Sequence, residues 1–111
     1  MTLESRYNVL EALLAKTKDE KINWEVGPLS ESFYSKIGDN SVAIRQVRDD
    51  FHLIIYNADG DVVEEISDPE FSNDGRPGAF NLMKNLFISA KRNALGTDRI
   101  VSSILDELEK K

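Results

Sequence analysis

Phe51-His52-Leu53-Ile54-Ile55-Tyr56-Asn57-Ala58-Asp59-Gly60-Asp61-Val62-Val63-Glu64-Glu65-Ile66 is the stretch that decides the fold. Its first six residues are apolar on both faces of an extended chain, which suits a strand inside a sheet. Asp59-Gly60 is the strongest hairpin signal in the chain, because a type I′ turn needs positive φ at both central positions. Residues 62–66 then read as the returning strand.

Working toward the N-terminus, Asp49-Asp50 and Gly38-Asp39-Asn40 read as turns around a strand over residues 42–48. Residues 32–37 form another, with Phe33 and Ile37 on one face and Tyr34 on the other. Gly27-Pro28 breaks the chain before it. Ile22-Asn23-Trp24-Glu25-Val26 alternates apolar and polar residues, the period of a half-buried strand. That alternation puts Trp24, the sole tryptophan, in the core rather than at an interface. Five consecutive strands with short turns imply an antiparallel β-meander.

Helical spacing brackets the meander. Leu3, Tyr7, Leu10, Leu14 and Thr17 fall on one face, with Thr2 as the expected N-cap. Residues 67–78 read as a loop rich in Pro, Gly, Asn and Asp. Phe80, Met83, Phe87, Ala90 and Ala94 then mark a helix over residues 79–94, closed by Gly96. Thr97 is expected to cap a last helix whose apolar face is Ile100, Ile104, Leu105 and Leu108. The expected fold is therefore α+β: an N-terminal helix, a five-stranded antiparallel β-meander, and two C-terminal helices packed on one sheet face. All three apolar stripes are expected to be buried against that sheet.

The 111 residues fit one domain, 1–111, and 41% hydrophobic with 31% charged residues supports a packed core. Cysteine is absent, which excludes disulfides and thiolate metal sites and fits a reducing compartment. The first residues lack the basic-then-apolar pattern of a signal peptide, and no apolar run nears the ~20 residues that span a bilayer. The expected location is cytoplasmic, with no membrane partner.

The formal charge is −6. Acids concentrate in residues 39–74, where Arg45 and Arg48 are the only bases, whereas Arg76, Lys84, Lys91, Arg92 and Arg99 follow with Asp98 as the only acid up to residue 99. Such a balance argues against nucleic acid as a partner, since Lys91-Arg92 with Lys84 is too sparse a basic surface. An acidic segment can instead steer a basic protein.

Motifs that carry chemistry are missing. His52 is the only histidine and has no evident orienting partner, so it reads as a surface or edge residue. Asn57-Ala58-Asp59-Gly60-Asp61 fails as a calcium loop, because the position that needs glycine is Val62. The neighbours Glu64-Glu65 and Asp49-Asp50 point to opposite faces when extended and do not converge. No nucleophile elbow, dinucleotide-binding fingerprint or phosphate loop occurs. No catalytic residue, metal ligand or cofactor is expected.

Three stretches carry a resemblance. Leu10 to Leu14, Thr17 and Lys21-Ile22-Asn23-Trp24 run a helix into a tryptophan strand. Ile55-Tyr56-Asn57-Ala58-Asp59-Gly60 forms the hairpin, and Leu86 to Leu95 precedes Gly96, Asp98 and a terminal amphipathic helix. In these the chain resembles a recurrent group of small uncharacterised bacterial and phage α+β proteins. The resemblance implies such an origin and brings no catalytic residue.

Two functional expectations follow. One is a non-enzymatic protein-binding module, comparable to an immunity protein or a phage accessory factor, that uses Asp49, Asp50, Asp61, Glu64 and Glu65 toward a basic partner. A homo-oligomer is compatible with this. The other is a small-molecule binder or enzyme using Tyr34, Arg45, His52 and Tyr56 on the outer sheet face.

Overall fold

The computed structural model describes residues 3–73 and 78–111. The elements run α1 (Leu3–Lys18), β1 (Glu25–Val26), β2 (Ser32–Ile37), β3 (Asn40–Val47), β4 (Asp50–Tyr56), β5 (Val62–Ser67), α2 (Asp68–Asn73), α3 (Ala79–Leu95) and α4 (Thr97–Glu109). The sheet follows chain order, β1 through β5, and every neighbouring pair is antiparallel. The protein is α+β, with an N-terminal helix, an antiparallel meander and two C-terminal helices, as the hydrophobic periods imply.

One sheet face carries the core. Phe33, Ile44, Phe51, Leu53 and Ile66 meet Leu10 and Leu13 of α1 and Met83, Leu86, Phe87 and Ala90 of α3. Phe87 packs edge-on to Phe33 and at a tilt to Phe51, each at 5.5 Å between ring centres. Such aromatic geometry adds to simple burial. Trp24 is buried as its alternation implies, and its indole N–H donates to the Thr17 hydroxyl at 2.9 Å. The strand around it is shorter than the alternation suggests, since only Glu25 and Val26 pair with β2. The backbone N–H of Trp24 donates instead to Asn93 of α3 at 2.6 Å, which diverts the chain from the ladder.

Four local readings need correction. Residues 68–73 are helical, not loop. Glu70 accepts hydrogen bonds from both the backbone N–H and the hydroxyl of Ser67 at 3.2 Å, and Pro69 sits in the first turn. Ser-Asp-Pro-Glu has capping-box spacing, with the Glu70 half of the box formed, and the fully buried Phe71 that follows packs against Tyr7. Second, the β4–β5 turn is not type I′. Among its residues only Gly60 has positive φ (86°), and Asn57 closes the loop with bonds to Gly60 and Asp61. A three-residue loop with a glycine bulge results, and the register slips at Tyr56.

Third, Thr97 does not cap α4. Gly96 ends α3 in the left-handed conformation and the chain re-enters helix at once, so Gly96 itself is the N-cap. Fourth, burial of the apolar stripe holds for α1 and α3 but not for α4. Ile100, Val101, Ile104, Leu105 and Leu108 are 48–60% exposed, because α3 lies on the sheet face and α4, at its end, packs against α3. The radius of gyration, 15.4 Å, exceeds the roughly 13 Å of a compact chain this long, consistent with a projecting helix. Thr2, the expected cap of α1, lies outside the described residues.

Candidate functional site

The sheet face opposite the helices is built by alternate residues of β2, β3 and β4. Register places Tyr34, Ala43, Ile54 and Glu65 in one cross-strand row, with Ser32, Arg45, His52 and Ser67 on one side of it and Lys36, Ser41 and Tyr56 on the other. Ala43 and Ser41 are the small residues on β3, between tyrosines on β2 and β4. A hollow of about 550 Å³ results, lined by Tyr34, Ser41, Ala43 and Tyr56 together with Pro28 and Leu29.

Pro28 and Leu29 come from the β1–β2 connection, whose shape is fixed by hydrogen bonds. Ser32 Oγ donates to the Leu29 carbonyl at 2.6 Å, and Arg45 Nε donates to the Ser30 carbonyl at 3.2 Å. Gly27 N–H donates to Ser32 O, and Gln46 N–H to Glu31 O. A Cβ at Gly27 would lie 2.4 Å from Ser32 Oγ and would push that hydroxyl off the Leu29 carbonyl. The Glu25 carboxylate accepts the Tyr34 hydroxyl, and its charge adds to the effect, so this hydroxyl titrates above the usual tyrosine range.

Of the four residues expected on this face, Tyr34 and Tyr56 line the hollow. Arg45 braces its loop. His52 stands opposite Arg45 in the register, and its Nδ1 lies 3.4 Å from Glu65, outside the lining. The acidic set is dispersed. Asp49 and Asp50 sit at the β3–β4 hairpin, whereas Asp61 sits at the far end of β4, about 20 Å away by strand rise. Glu64 lies on the helix-facing side, where it pairs with Arg6 at 3.2 Å, each side chain 23% exposed. Glu65 lies on the opposite side. These five carboxylates therefore share no single surface.

Two features were not anticipated. Pro28 and Leu29 read as loop punctuation, although two apolar residues in a turn signal that something covers them or that they cover something. The other is a polar hollow of about 340 Å³ at the α3–α4 junction, lined by Thr17, Lys18, Asn93, Asp98 and Arg99, with Arg92 paired to Asp98. Among the described residues, no cluster of His, Asp and Glu is arranged to hold a metal ion, and no helix is long and apolar enough to cross a membrane.

Fold and site together define a small one-sheet α+β domain with helices on one face, a braced hollow on the other, and an uncovered amphipathic helix at its end. Against protein-family models, curated proteins and solved structures, the chain finds no match.

Proposed function

We propose that this is a non-enzymatic protein-binding module, comparable in role to an immunity protein or a phage accessory factor, and that α4 is its docking element. The observation that carries this reading is the stripe of Ile100, Val101, Ile104, Leu105 and Leu108, all about half exposed on a helix with no buried residue. A stripe spanning roughly 140° of the helix at 100° per residue is wider than a two-helix seam, and matches a helix laid into an apolar groove. Glu107 borders the stripe on one side, Asp98 and Glu109 on the other. Their cationic neighbours Arg92 and Lys110 form exposed pairs, which contribute little. The partner this fits is a protein with an apolar groove and a basic rim. A charge of −6 on each copy opposes self-pairing and speeds approach of such a partner. Acid edges also disfavour nucleic acid.

A photo-crosslinking residue at position 105, on the stripe, or at 106, on the opposite side, tests this in the cells the protein comes from. Position 105 should give a heteromeric adduct that Ile104→Asp abolishes, and position 106 should give none. No adduct from 105 would remove α4 as the docking element. An adduct of twice the chain mass would replace the foreign partner with a second copy.

A further inference from the structure

The hollow on the outer sheet face is independent of α4 and has the geometry of a small-molecule site. Tyr34 on β2 and Tyr56 on β4 are separated by two strand spacings, about 9.6 Å, and are offset by two residues along the strands, about 6.7 Å. Their backbone positions are thus about 12 Å apart on the diagonal. A planar group lodged in the hollow can touch both side chains, because both line it. Between them β3 carries the small residues Ser41 and Ala43, with Ala43 itself buried at 4% exposure beneath its neighbours. The two tyrosines therefore stand on opposite sides of β3 and both line the hollow.

The third side is the connection carrying Pro28 and Leu29. Arg45, Ser32 and two backbone bonds hold it in place, so binding needs no loop ordering, which is a main cost of ligand capture. The volume, about 550 Å³, falls in the ~300–1,000 Å³ range of small-molecule sites. Charge on this face is mixed: Lys36, Arg45 and His52 stand against Glu25 and Glu65, so no excess of one sign selects an ion. Hydroxyls of Ser41, Tyr34 and Tyr56 supply the polar edge, each with lone pairs that accept a hydrogen bond.

We propose that the hollow lined by Tyr34 and Tyr56 binds an uncharged planar aromatic small molecule bearing an N–H or O–H donor. Indole is the probe and cyclohexylmethanol the saturated control. Titration of the isotope-labelled full chain by two-dimensional NMR should shift the amide signals of Leu29, Tyr34, Ser41, Ala43 and Tyr56, with a Kd of about 1 mM for so small a ring. The control should shift them at least ~10-fold less at equal concentration. Tyr56→Phe keeps the ring and should keep binding. Tyr56→Ala, checked for an unchanged fold by its own spectrum, should weaken it by about 10-fold. Equal response to the saturated control, shifts confined to other residues, or full binding by Tyr56→Ala would each overturn the proposal. The α4 stripe is untouched by these variants, so the protein-docking reading stands or falls separately.

Discussion

Leu10→Ala and Leu105→Ala make the same chemical change in two places that sequence periodicity treats alike. Leu10 is fully buried in the core that α1 shares with α3 and the sheet. Truncation there loses the transfer energy of three heavy atoms and leaves a cavity, about 2–5 kcal/mol in all. Leu105 is 53% exposed on α4. Its truncation changes little buried surface, and alanine is a good helix former, so the expected change is within about 0.5 kcal/mol. For 111 residues the unfolding entropy is about 0.23 kcal/mol/K, so each kcal/mol moves Tm by about 4 °C. Leu10→Ala should therefore lower Tm by about 8–20 °C and Leu105→Ala by about 2 °C or less. Circular dichroism melts at several protein concentrations measure both. A drop for Leu105→Ala as large as for Leu10→Ala would refute the uncovered α4 face, and concentration dependence of that drop would show the face buried between copies.

Gly60→Val should cost about 1–2 kcal/mol, because φ of 86° is costly for a β-branched residue although no atom lies within 4 Å of its Cβ; Gly60→Asn should cost less in the same melt, and equal stability of both would argue against the glycine bulge. Glu64→Lys should destabilise by about 1–2 kcal/mol by setting a cation against half-buried Arg6, whereas Glu65→Lys, 52% exposed, should stay within about 0.5 kcal/mol; the reverse order in urea melts would contradict the strand facing. The Tyr34 hydroxyl should ionise above the ordinary tyrosine range, read from ultraviolet absorbance, and Glu25→Gln should lower it. Since its folded pKa is raised, its contribution to stability is full below pH ~10 and is lost as pH rises through the raised value.

Local periodicity and turn chemistry are written in adjacent residues, and they determined most of the architecture. The period of two in Phe33 to Ile37, the apolar run Phe51 to Tyr56, and the 3-and-4 spacing from Phe80 to Ala94 each specify an element without reference to the rest of the chain. The helix at residues 68–73 reads as loop from its Pro, Asn and Asp content, and only the Ser67–Glu70 spacing signals a helix start there. What the sequence alone could not decide was which apolar face finds cover. The stripes of α1 and α4 both fall on one helical face, yet α1 joins the core beside α3, which lies on the sheet, and α4 has no buried residue. Convergence was legible only in part: Tyr34 and Tyr56 were expected on one face, whereas the acidic residues were grouped by sequence alone. Asp49 and Asp61 are near in sequence but stand at opposite ends of β4, whereas Tyr34 and Tyr56 are far in sequence and line one hollow. Strand register sets both distances, and register is a property of the whole sheet, not of any one strand.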